Sequence, residues 1–192
     1  MAGTIKLDGT TFLTKDSSNN FTLDVGSGGS IPTVGTITSG TIGSNVTFPT
    51  GHVIQTKYAE STTATNVTGT SQGSGTTTGL SVSITPTSTS NKLILNYVGS
   101  VQMANHANPA CSIEIYDGTS VVATQNGNWG VYVNGDGNEY DNLYRYAFIA
   151  QFTPASAGSS ITYTVRAWKG GNAVTFQSSS LLSAITIQEI QQ

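Results

Sequence analysis

Charge is scarce in this chain. Asp, Glu, Lys and Arg make up 9% of its 192 residues, against roughly 25% in ordinary globular domains. Seven Lys and Arg stand against ten Asp and Glu, a net charge of −3. The basic residues are scattered and form no cluster, so a nucleic-acid partner is not expected. Hydrophobic residues are also few, at 36%. No apolar run approaches the roughly 20 residues a membrane-spanning helix needs, so membrane insertion is not expected. The opening Met1-Ala-Gly-Thr-Ile5-Lys-Leu-Asp8 lacks the continuous apolar stretch of a secretory leader. Cys111 is the only cysteine, which excludes an intrachain disulfide and a multi-cysteine metal cluster. Placed before the alternating run Ser112-Ile-Glu-Ile-Tyr116, it reads as a small buried hydrophobe. These absences together suit a protein made and folded in a cytoplasm.

The missing charges are replaced by Ser, Thr, Asn and 22 Gly. Thr, Val and Ile favour strands, and Gly and Asn favour tight turns. The expected class is therefore all-β, in three sections. Residues 1–30 hold two short alternating pieces, Thr4-Ile-Lys-Leu7 and Phe21-Thr-Leu-Asp-Val25, which read as the strands of a small hairpin. Their apolar content is too small for an independent core, so this section is expected to order by docking to its own copies or to another protein.

Residues 31–50 place Ile31, Val34, Ile37, Ile42, Val46 and Phe48 among Gly, Ser and Thr, with Gly-Thr-Ile at both 35–37 and 40–42. The spacing matches neither a helix nor a strand. A single extended chain cannot bury these side chains. Three parallel copies wound about an axis can, at about 1.5–3 kcal/mol for each fully buried residue, offsetting much of an ordering cost of about 1–2 kcal/mol per residue. The expectation is an extended, intertwined trimeric stalk; the competing reading is a flexible linker.

Residues 51–192 read as one β-domain, a jelly-roll-like sandwich that forms a head. Strands are expected at 52–58, 80–85, 92–101, 112–117, 120–125, 129–133, 143–153, 160–168, 173–178 and 183–190. Leu93, Leu95 and Tyr97 share a face, as do Tyr146, Phe148, Ala150 and Phe152, and Ile161, Tyr163, Val165 and Ala167.

Chemistry leaves few traces. The ten carboxylates show no paired acid and base in a recognisable setting, and no phosphate loop, dinucleotide fingerprint or nucleophile elbow is present. An enzyme is not expected, and neither is a cofactor or a metal. The stretch 134–141 has the look of a calcium loop but lacks the Gly and the bidentate Glu that geometry requires. It reads as a polar hairpin tip, with a non-standard cation site as the alternative. His52 and His106 are isolated and read as simple hydrogen-bonded histidines. The region around Trp129, Tyr132, Asp136, Asn138, Tyr140 and Tyr144 mixes aromatic faces, which stack on sugar rings, with groups that bond hydroxyls. It is the candidate receptor-binding surface, for example for a host glycan; the alternative places its aromatics in the core or at a subunit interface.

Three stretches carry a family resemblance: Val34-Gly-Thr-Ile-Thr-Ser-Gly-Thr-Ile42, Phe48-Pro-Thr-Gly-His-Val-Ile-Gln55 and Leu182-Ser-Ala-Ile-Thr-Ile-Gln-Glu-Ile190. In these the chain resembles bacteriophage head or tail fibre proteins. The resemblance implies a homotrimer on the virion, an N-terminal segment bound to another virion protein of the capsid or tail, and an exposed C-terminal head that contacts the host surface. Two other readings are a purely architectural capsid decoration or tail connector, and, more remotely, a secreted sugar-binding lectin.

The stalk reading is open to a direct test. Ile37→Asp combined with Ile42→Asp places like charges in two layers of a dry axis, where unpaired charge is costly. Trimers are expected to weaken and residues 1–60 to fray, as read by native mass and melting. Unchanged mass and melting contradict an intertwined stalk.

Overall fold

A computed structural model describes residues 3–7, 10–15, 17–18, 21–23, 49–103, 110–125, 131–132, 142–170, 174–176 and 181–192. The chain divides into two units, Met1–Val46 and Thr47–Gln192. Ile31, Val34, Ile37, Ile42, Val46 and Phe48, the expected stalk residues, lie outside the described residues.

In the first unit, β1 (Gly3–Leu7), β2 (Thr10–Lys15) and β3 (Phe21–Leu23) form an antiparallel sheet in chain order. This corrects the expected hairpin. The pieces at 4–7 and 21–25 do not pair with each other, because β2 lies between them, with Leu13 opposite Ile5 on one side and Leu23 on the other. The stretch 10–14 is rich in β-formers. Its adjacent Phe12 and Leu13 obscure the alternation by which a strand is recognised.

The second unit is built from β4 (Val53–Ser61), β5 (Thr65–Asn66), β6 (Thr76–Ile84), β7 (Lys92–Met103), β8 (Ala110–Tyr116), β9 (Val121–Thr124), β10 (Val131–Tyr132), β11 (Asn142–Phe152), β12 (Ile161–Gly170), β13 (Val174–Phe176) and β14 (Ser183–Ile190). Every strand expected from the sequence of this unit has a counterpart. The two-residue β5 was not expected, and the piece expected at 129–133 shortens to Val131–Tyr132.

All pairings are antiparallel. One sheet runs β4-β14-β7-β11. β13 continues β14's edge of β7, with β5 beyond it. The other sheet runs β6-β12-β8, with β9 and β10 also paired to β8. The first long strand pairs with the last (β4 with β14), and β6 with β12, β7 with β11, and β8 with β9 follow inward. This nesting is that of a long antiparallel ribbon rolled up into two sheets, the strand order of a jelly roll.

Alternation places the core. Burial runs intermediate, exposed, then strictly alternating along β6, and alternates along all of β14. Leu80, Val82 and Ile84 of β6 and Val165 and Ala167 of β12 share one apolar cluster with Leu93 and Leu95 of β7 and Ile185 and Ile187 of β14, so the two sheets pack face to face. The Phe152 and Tyr163 rings meet across the layer at 5.1 Å. The three same-face sets read from the sequence all point into this layer. β6 departs from regular pairing where Ser81 opposes Thr164 but Thr77 opposes Arg166. Gly79 takes a φ of 75° in that bulge, and Thr78 Oγ1 donates to Val165 O at 2.9 Å. A left-handed residue is tolerated there because it lacks a Cβ.

The registers give the sandwich two distinct ends. Val53, Ile84, Lys92, Tyr116, Phe152, Ile161 and Ile190 lie at the end where the chain enters. The connections there are 85–91, 117–120 and 153–160. Gly51 N donates to Gln191 O at 2.8 Å and Gly158 N to Pro86 O at 2.8 Å, tying this end together. Asn66, Thr76, Met103, Ala110, Tyr132, Asn142, Gly170 and Val174 mark the far end, from which 67–75, 104–109, 133–141 and 171–173 depart.

Gly99 of β7 faces inward where the pattern places a side chain. The Tyr97 ring occupies that space: a methyl group on Gly99 would overlap the Tyr97 hydroxyl and approach Ser183 Oγ to 2.6 Å. Gly99→Ala is therefore expected to destabilise the sandwich by about 1–3 kcal/mol through overpacking, lowering the urea midpoint without changing the slope. An unchanged midpoint contradicts the packing described.

Candidate functional site

Of the expected receptor-binding residues, Tyr132 and Tyr144 lie among the described ones. Trp129, Asp136, Asn138 and Tyr140 lie outside the described residues, as do 134–141, the calcium-like stretch, and His106. Tyr132 pairs with Ala110 of β8 and Tyr144 with Val101 of β7, so the chain leaves one sheet at β10 and enters the other at β11. The structure thus brings Tyr132 and Tyr144 to the same end of the sandwich on different sheets. Residues 134–141, expected as a polar hairpin tip, lie outside the described residues.

Two buried carboxylates, neither singled out in the sequence, support the loops. Glu114 of β8 is fully buried, opposite Arg166 of β12 in the register, and the pair closes at 3.2 Å. Glu114 accepts from Gly73 N at 2.8 Å and Gly75 N at 3.2 Å. Arg166 donates back to Gly75 O at 2.9 Å and Gly73 O at 2.7 Å, and its guanidinium lies 4.5 Å from the centre of the Tyr116 ring. One ion pair therefore satisfies both backbone groups of two loop residues, clamping 69–75 to the sheet. Gly73 has a φ of 81°, and a Cβ on Gly75 would come within 2.6 Å of Glu114 Oε1. A desolvated ion pair survives only when its remaining hydrogen-bond sites are filled, as they are here.

Glu189 of β14 performs the same task at the entry end. Its carboxylate accepts from Gln55 Nε2 at 2.6 Å, Asn91 Nδ2 at 2.7 Å, and Thr87 N and Oγ1 at 2.8 Å each. Asn91 is itself fully buried, and its Oδ1 accepts from Gln192 N at 3.2 Å. Burial alone pushes the Glu189 carboxyl up, but the donors from Asn91, Gln55 and Thr87 outweigh it and hold the group below its ordinary value. The other described carboxylates are also engaged. Asp117 Oδ1 accepts from Thr119 N at 2.8 Å and Ser120 N at 2.7 Å in the turn to β9. Glu60 accepts from the Tyr58 hydroxyl at 2.5 Å.

Cys111 is buried, and burial pushes its thiol up to about 12, so it holds its proton and packs as a small hydrophobe. His52 is exposed at the start of the sandwich, where its backbone O accepts from Gln191 N at 2.9 Å. Among the described residues no group of three or more His, Cys, Asp or Glu could hold a metal ion. A groove of about 380 Å³ opens between the edge strands of the two sheets, lined by Gln72, Val121–Thr124 of β9 and Phe148–Gln151 of β11.

No protein-family model matches this chain, and no curated protein does. Several solved structures are weakly similar. A chain of the T13 viral particle of IBDV is 13% identical over 89% of this chain and 43% of its own length, with a TM-score of 0.32. The CBM22-1 xylan-binding domain from Paenibacillus barcinonensis Xyn10C is 15% identical over 76% of this chain and 99% of its own, with a TM-score of 0.27. The structure of infectious bursal disease virus Gx strain gives 14% identity over 72% of this chain and 41% of the viral one, with a TM-score of 0.27. The chain spans less than half the length of the viral proteins it matches. Scores of this size support no inference about descent or function.

The Glu189 network makes stability pH-dependent in a definite direction. A carboxyl held below its unfolded value stabilises the fold above that value, near 4.5, and loses this contribution as pH falls through its folded value. Glu189→Gln is expected to lower stability at neutral pH by about 1–3 kcal/mol and to flatten the loss of stability below about pH 4.5, as read by urea titration across pH. An acid limb as steep as that of the unaltered protein contradicts the assignment.

Proposed function

We propose that this chain is a non-catalytic structural fibre protein of a phage particle. In this reading it is a homotrimer, joined through its N-terminal section to another virion protein of the capsid or tail, with residues 31–50 as an intertwined stalk and the sandwich as a head that adheres to the host surface. The observation that carries the reading is the polarity of the sandwich. The chain enters β4 at the end held by the Glu189 network, while the connection 133–141, which bears Asp136, Asn138 and Tyr140, joins β10 to β11 at the opposite end. Attachment ahead of β4 leaves that far end available to a receptor such as a surface glycan.

The described carboxylates support a non-catalytic reading in a further way. Glu114, Asp117 and Glu189 are each occupied in holding a loop or turn. Neither cofactor, nucleic acid nor membrane insertion enters the proposal.

The test uses the full chain. Sedimentation at micromolar concentration is expected to give a trimer, and labelled protein is expected to bind whole host cells. Trp129→Ala with Tyr140→Ala is expected to reduce that binding at least about tenfold, as loss of aromatic stacking on a ligand does, with melting unchanged. A monomer refutes the trimeric fibre. A trimer that binds no strain in a host panel favours the architectural reading, as a capsid decoration or tail connector.

A further inference from the structure

The outer face of the β4-β14-β7-β11 sheet carries large apolar side chains exposed to water. Tyr58, Thr186, Asn96 and Ile149 form one row across it, and Glu60, Ala184, Val98 and Ala147 form the next. Ile149 is 72% exposed, Tyr58 56% and Val98 50%. Large exposed side chains grouped on one face mark an interaction surface, whereas scattered ones need no explanation. The charges on this face are few and separated by sign. Glu60 sits on β4, one edge of the sheet; Arg145 sits on β11, the opposite edge; Lys92 lies at the entry end. The groove between β9 and β11 runs along the same edge as Ile149. Neither the outer edge of β4 nor that of β11 has a strand partner among the described residues.

The two edges fit each other better than either fits itself. Each strand in this sheet runs antiparallel to its neighbour, so β4 and β11 also run in opposite directions. A second copy set down with its β4 beside β11 of the first places Tyr58 in the row of Ile149. Its Glu60 then falls in the row of Ala147, one pleat from Arg145. Diagonal cross-strand neighbours on one face lie about 7–8 Å apart, within reach of long side chains. Acid would meet base, and the exposed aromatic would meet the exposed aliphatic. A self-matching twofold contact through either edge would instead place like charges together. Contacts between two different edges of the same protein are heterologous, and such contacts form rings where the rotation between copies closes.

We infer that neighbouring copies meet at the two edges of this sheet, the β4 edge of one head (Tyr58, Glu60) against the β11 edge of the next (Ile149, Arg145). The inference rests on the trimeric reading above and adds to it the surface and the handedness of contact. Cys111 is buried, so introduced cysteines report alone. The full chain carrying both Tyr58→Cys and Ile149→Cys is expected to form covalent trimers on oxidation, seen on denaturing electrophoresis, whereas each single variant stays monomeric there. Glu60→Arg is expected to reduce trimer by about tenfold or more, since like charges now face each other. Adding Arg145→Glu is expected to restore it. All four positions are exposed, and circular dichroism checks that each variant folds. A trimer that neither cross-links nor responds to the charge exchange overturns this interface and leaves the fibre reading standing. A dimer from Ile149→Cys alone overturns the heterologous arrangement. An unaltered chain that sediments as a monomer overturns both readings.

Discussion

Everything in the sandwich depends on the last strand lying between the first and the fourth. β14 pairs with β4 on one side and β7 on the other, and its Ile185 and Ile187 are wholly buried against the opposite sheet. Without it, β4 would have no partner and the core would open along its length. The contact with β4 joins residues more than a hundred positions apart, so its loop-closure cost precedes any gain from burial. The Glu189 network completes this strand. A single carboxylate with donors from β4 and from the 85–91 connection ties the end of the chain to the end of β6. Because first and last strands are neighbours, chain entry and chain exit fall at the same end, and that leaves the far end to connections between strands.

Charge scarcity shapes how this protein is stabilised. With few carboxylates and few bases, the chain places two of its acids at full burial and surrounds each with donors. Glu114 with Arg166 holds one loop on the sheet, and Glu189 holds another. Both are costly to break, because removing one partner strands a buried charge. The surface is left to Ser, Thr and Asn, with large apolar side chains exposed on one sheet face. Such a face is a liability for an isolated monomer and an asset for an assembly.

Much of this architecture was legible in residue order. The alternations at Leu93-Leu95-Tyr97, Tyr146 to Phe152 and Ile161 to Ala167 mark strands buried on one face, because the side-chain period of a strand is two. The nesting of those strands was not legible, since antiparallel neighbours in a jelly roll are mostly distant in sequence. For the same reason Glu114, Arg166 and Gly75 gave no sign of their association: nothing local links a loop glycine to charges on strands so far along the chain. β2 escaped notice because its two largest apolar residues are adjacent. Tyr132 and Tyr144 were recognised as part of one aromatic-rich segment, but not as residues of different sheets. The apolar outer face was invisible for a simpler reason. Ile149 and Val98 alternate with core residues on their own strands, and only the cross-strand register shows that they are neighbours.

The proposed role turns on which end of the sandwich faces outward. Electron microscopy of whole particles can decide this with two labels on the same protein, one on Gln192 at the entry end and one on an antibody raised against the 126–141 connection. The account predicts both labels on fibres, with the antibody label consistently at the larger radius. Antibody label at the smaller radius, or neither label on particles, contradicts it.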